Sequence, residues 1–193
     1  MNNTPVSDAL ALRATASAFD AQRGKLPVSG DLHRSPDSVA VARQISELGT
    51  LISSLGDEVL FRVTEQDQGP DSARVVTSCA AAVGPAGEAA SALGAVAHQL
   101  SFLNQTEHLH DQPDARDARE AAARVTDDAL SMANTALREA ADSLHAASAA
   151  VSPPSARLQA ARSRSTTAAP APVSSPHAVP GAAAPVDRIA RGR

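Results

Sequence analysis

Tryptophan and tyrosine are absent from the 193 residues, and the aromatics reduce to Phe19, Phe61 and Phe102. Aromatic side chains usually dominate cores and binding pockets. Any core here is therefore built from Ala, Leu, Val and Ile. That favours closely packed helices over a sheet, whose strands prefer β-branched and aromatic residues. Cysteine is nearly absent too. Cys79 stands alone, which excludes an intramolecular disulfide and a cysteine-based zinc site. A single lysine accompanies sixteen arginines, a bias read as high-GC coding rather than chemistry.

Long apolar runs are missing as well. No stretch of about 18 apolar residues suggests a membrane span. Met1 to Asp8 lacks a basic segment followed by an apolar one, so no signal peptide is expected. The expectation is a soluble cytoplasmic protein, with export by a route lacking a cleaved signal left open.

The net charge of −4 conceals an asymmetry. Residues 1–152 carry 11 basic and 20 acidic side chains, whereas residues 153–193 carry six arginines against Asp187. An acidic body with a basic tail is a hint about partners.

What the chain does contain is a recurring start signal. Ser35-Pro36-Asp37, Gly69-Pro70-Asp71 and Gln112-Pro113-Asp114 each precede an Ala-rich periodic stretch. Proline suits the first helical position, where its missing N–H has no intrahelical partner. Aspartate in the first turn meets the positive end of the helix dipole. Ser35 is also a good N-cap. The signals fix where helices begin and carry no information about function.

Each start leads into a heptad-phased seam. From about 36 to 67 the seam is Val41, Ile45, Leu48, Ile52, Leu55 and Val59. Ala42, Gly49 and Gly56 run beside it, seven apart, and are expected to admit a neighbouring backbone. Each glycine costs roughly 1 kcal/mol of helix propensity against alanine. From about 71 to 108 a second seam runs from Val75 and Cys79 through Ala86 and Leu93 to Leu103. Its phase does not slip at Pro85, so one kinked helix is expected rather than two. From about 114 to 151 two stripes lie side by side. One runs Leu130, Ala133, Leu137, Ala140, Leu144, Ala147, Val151; the other runs Ala118, Ala122, Val125, Ala129, Met132, Ala136. That broad face is wide enough for two neighbours. The opposite face is charged and reads as solvated, with Glu120–Arg124 a favourable i,i+4 pair.

A shorter helix is expected from about 7 to 23, with Leu12, Ala16 and Phe19 on one face and Ser7 as its cap. Too short to be stable alone, it must dock or fray. The expected fold is all-α. Residues 1–35 form a short N-terminal helix and loop, with that helix a candidate fourth bundle member. Residues 36–151 form a long antiparallel three-helix bundle, because short links between long helices make antiparallel neighbours. Residues 152–193 form a disordered tail, because its frequent prolines exclude helix and central strand.

Candidate chemistry is sparse. Glu107, His108, His110 and Asp111 are the densest group of metal-ligand types, with His98 ten residues earlier. They lack the HExxH spacing that sets two histidines on one helical face. They read as solvated surface, and no metal ligand is assigned. Cys79 lies on a core seam, where a thiol acts as a small hydrophobe. Gly84-Pro85-Ala86-Gly87 follows no strand and lacks the lysine of a phosphate loop. No catalytic or cofactor-binding residue is assigned, and no enzyme activity is expected. Arg157, Arg162 and Arg164, interleaved with Ser163, Ser165, Thr166 and Thr167, form a small basic cluster suited to weak, salt-dependent phosphate contacts. The expected function is a helical interaction or scaffold protein acting through helix–helix contacts. Its partner is a helical protein or a second copy. The alternative is a nucleic-acid-associated factor using the tail.

Overall fold

The computed structural model describes residues 5–27, 36–64, 70–109 and 112–152, together with Leu158. The chain is all-α, with no strand among the described residues. Four helices follow in order: α1 (Pro5–Gly24), α2 (Ser38–Thr64), α3 (Pro70–Gln105) and α4 (Pro113–Val151). A short 3-10 turn, Glu107–Leu109, precedes α4. The tail beyond 152, apart from Leu158, lies outside the described residues.

The start tripeptides are used in two ways. Pro70 and Pro113 each open their helix, as proline at the first helical position should. At α2 the register differs. Asp37 caps the helix, its carboxylate accepting from Val39 N at 3.3 Å and Ala40 N at 3.1 Å, while Ser35 lies outside the described residues. Pro36 therefore lies outside α2, which starts at Ser38. The aspartate side chain reaches the free N–H groups of the first turn better than a residue two positions earlier. Ser7 likewise is no cap, because α1 already begins at Pro5.

α3 runs unbroken through Pro85. Proline leaves the Ala81 carbonyl without its helical donor. Ala81 is exposed, on the outer side of the helix, and the buried Ala82, Ala86 and Ala89 keep the heptad phase.

α1 packs along α4, α4 along α3, and α3 along α2. The shorter N-terminal helix is thus a structural member of the bundle. Leu12, Ala16 and Phe19 are buried in the same core as Leu48, Leu93, Leu137 and Leu144. Phe19 is fully buried, whereas Phe61 is 53% exposed, so the one aromatic anchor of the core comes from α1. Alanines fill much of the remainder: Ala82, Ala86, Ala89, Ala133, Ala140 and Ala141 are all fully buried. Small side chains at facing positions let helices approach closely.

The broad apolar face of α4 is spent inside the fold, on α3 and on α1. Ala122, Ala129 and Ala136 of its second stripe are buried, and only Val125 and Met132 remain exposed. That stripe offers no continuous surface to a second copy. The face read as wide enough for two neighbours has two within the bundle.

By length and composition α3 is apolar enough to cross a membrane, but 39% of that stretch is buried within the bundle. Apart from Asp71, Arg74 and Glu88 it carries no Asp, Glu, Lys or Arg.

Candidate interaction surface

The expected metal-ligand group does not assemble among the described residues. Glu107 and His108 are exposed on the 3-10 turn, where they line an open depression with Asn104 and Arg119. His110 and Asp111 lie outside the described residues. His98 is exposed on α3 beside Gln99, and no group of three His, Cys, Asp or Glu side chains capable of holding a metal occurs among the described residues. Arg157, Arg162 and Arg164 also lie outside them.

α1 and α2 meet chiefly through polar side chains at their two ends. At one end Arg62 Nη2 donates to Asp8 Oδ1 at 2.8 Å, and Arg62 Nε donates to Glu58. Arg62 and Asp8 are each only 4% exposed, so this is a buried pair. Burial pulls the guanidinium pKa down. The hydrogen bonds it donates to Asp8 and Glu58 more than reverse this, leaving it raised. At the other end Gln44 Nε2 donates to the Gln22 carbonyl at 2.7 Å. Gln22 Nε2 donates to Glu47 at 2.8 Å, and Lys25 also bonds Glu47. Together the Lys25 and Gln22 donors hold the Glu47 carboxyl below its ordinary value of 4.5. These pairs join the start of one helix to the end of the other and fix α1 and α2 as antiparallel.

Between the two clamps lies a cavity of about 210 Å³ lined by Leu12, Leu55, Val75 and Cys79, with Glu58 at its edge. Burial pushes the Cys79 thiol up to about 11, and the nearby Glu58 charge adds to the shift. The thiol stays protonated at neutral pH, which suits a core position and not a nucleophile.

Sequence periodicity did not single out Asp8, Gln22, Gln44 or Arg62. A signal was present for one of them. Arg62 falls seven residues after Leu55 and fourteen after Leu48, in the phase of the buried seam.

The outer side of the α2–α3 hairpin is different in kind. Gln44, Glu47, Glu58 and Arg62 face α1, so the opposite flank of α2 adjoins α3. Ile45, Ile52 and Val59 occupy that flank, half-buried. Across the seam on α3 stand Val76, Val83, Ala90 and Ala97, also half-buried and also seven apart. Outside these two inner rows run two outer ones. Ala42, Gly49 and Gly56 on α2 are exposed, as are Ala80, Gly87, Gly94 and Ser101 on α3. None of the four rows contains a charged residue.

The glycines here do not do what their spacing implied. A Cβ built on Gly49, Gly56, Gly87 or Gly94 meets nothing within 4 Å. Among the described residues no backbone of the same chain approaches them. They were expected to receive a neighbouring helix of the bundle, yet the neighbours lie on the other side, where Leu48, Leu55, Ala86 and Leu93 are buried.

Comparison with protein-family models, with characterised proteins and with solved structures finds no match to this chain.

Proposed function

We propose that this is a non-enzymatic helical interaction or scaffold protein that acts through helix–helix contacts on the outer side of α2 and α3. One observation carries the reading: a continuous two-helix face, half-apolar and free of charge, where the outer face of α4 carries Asp117, Glu120, Arg124, Asp127 and Asp128. Apolar surface without a charged cover is what a packed helix partner removes from water. Exposed glycines at heptad spacing suit a helix that comes close.

The test is photo-crosslinking inside the cell that makes the protein. A photoreactive amino acid is placed at Gly49 or Gly87, with a third site at Ala123 on the charged face of α4. Adducts from the first two positions and none from the third are expected. Equal adducts at all three, or none at any, would refute the reading.

The charge asymmetry favours a second reading, in which the basic segment 153–193 contacts nucleic acid while the acidic body stays clear. Removal of that segment is then expected to abolish nucleic-acid binding at low salt without unfolding the bundle. Absence of binding by the full chain at low salt excludes it.

A further inference from the structure

We infer that the α2–α3 face is an interface between two copies of this chain, packed about a twofold axis. This rests on the interaction reading above and names its partner.

Charge gives the first argument. Residues 1–152 carry 20 acidic against 11 basic side chains. A second copy carries the same excess, so most face-to-face pairings set like charges together. The outer α2–α3 face is uncharged, and can meet its own image without that repulsion. A basic or acidic partner of another kind would find nothing on it to select by charge.

Area gives the second. α2 is 27 residues long, so the face runs about 40 Å, and two adjacent helices make it about 20 Å wide. The product, about 800 Å² on each copy, matches what a stable dimer buries per partner.

Symmetry gives the third. Leu55 of α2 and Cys79 of α3 line the same cavity, so antiparallel packing sets Gly49 near the level of Gly84 and Gly87. The glycines thus lie near the middle of the face. In a twofold interface the surface around the axis meets itself, and small residues there let the two hairpins come closest. Half-buried Ile45, Ile52 and Val83 then lose their remaining contact with water.

Sedimentation velocity on the full chain, from micromolar to near-millimolar concentration, tests this. A mass approaching twice 19.6 kDa is expected as concentration rises. The double variant Gly49→Gln with Gly87→Gln is expected to stay at one-chain mass throughout. Its monomer should keep its helical circular dichroism, because those side chains enter open space. Ala123→Gln on α4 serves as the control and should associate like the parent chain. Hydrogen exchange of the unmodified protein at low and high concentration gives a readout without any variant. Added protection is expected at residues 42–56 and 80–94 and not on the outer face of α4.

A parent chain that stays monomeric throughout would overturn the second copy as partner. Cellular adducts at Gly49 to another protein would, in that case, still uphold the broader interaction reading. A dimer that survives the glutamine pair, or protection mapping elsewhere, would overturn the location.

Discussion

The outer face of α4 and the outer face of the α2–α3 hairpin both meet solvent, but they solve that problem differently. α4 turns Asp117, Glu120, Arg124, Asp127, Asp128, Arg138 and Asp142 outward and, apart from Val125 and Met132, spends its apolar stripes on α1 and α3. The hairpin turns alanine, glycine and serine outward and leaves isoleucine and valine half-covered. Charge on one face holds it in water. Small size on the other keeps the exposed apolar area low without making the surface unfit for packing. Two helical surfaces of similar alanine content therefore differ in what they can meet, and the difference lies in charge rather than in hydrophobicity.

The contrast depends on α1 staying docked, since α1 covers one flank of α4. Removing Arg62 leaves the buried Asp8 carboxylate without its cation, which costs about 3–5 kcal/mol, whereas removing Asp8 leaves Arg62 still bonded to Glu58. Arg62→Ala should therefore produce the largest loss of stability, read as a fall in the urea midpoint. Asp8→Leu combined with Arg62→Leu removes both charges and should recover most of it. A single substitution with no effect would mean that the pair does not hold α1.

The glycines supply the next effect, and its sign is opposite. At dilution, Gly49→Ala, Gly56→Ala, Gly87→Ala or Gly94→Ala should each stabilise the chain by about 0.5–1 kcal/mol. The converse change at an exposed alanine of α4, Ala123→Gly, should cost a similar amount. Thermal unfolding of the set measures both. Destabilisation by the alanines would show the glycines to be buried in the solution fold.

Smaller still is the effect of adding charge to α4. Val125 is 44% and Met132 65% exposed. Val125→Glu and Met132→Glu should each change stability by no more than about 0.5 kcal/mol and leave association unaltered.

The smallest effect concerns acid. The folded state lowers the Glu47 carboxyl below its ordinary value, chiefly through the hydrogen bond from Lys25 and then that from Gln22. Its contribution is therefore complete above the ordinary carboxylate range and is lost as pH falls through the folded value. The carboxyl is exposed, so the loss is slight and local. A carboxyl-carbon titration of Glu47 by NMR should give a midpoint below that of a model peptide. Amide exchange at Gln22–Leu26 should quicken across the same range.

Much of this architecture is written in local pattern. The Pro-Asp starts and the 4-3 spacing of Val75, Cys79, Ala82, Ala86, Ala89 and Leu93 led to helices that are there, with those residues buried. The exceptions are instructive. Asp37 reads in the sequence as a first-turn charge, and only the geometry of the first turn shows it to be the cap. Asp8 and Gln22 look like solvent-facing residues of α1 until α2 stands beside them. The outer rows of Ala42, Gly49 and Gly56 were visible as a stripe, but their surroundings were not. Spacing states which residues share a face, whereas only the neighbours state whether that face is inside or out.

By itself, then, the sequence determined an all-α chain, the starts of its long helices and the residues on each seam. These follow from backbone chemistry and helical period, which act within a few turns. The tertiary structure decided that α1 anchors the core with Phe19, that the breadth of α4 is used within the bundle, and that the glycines of α2 and α3 face open space. Those outcomes depend on which helix lies against which, and the closest packing of all four around one alanine-rich core selects that order.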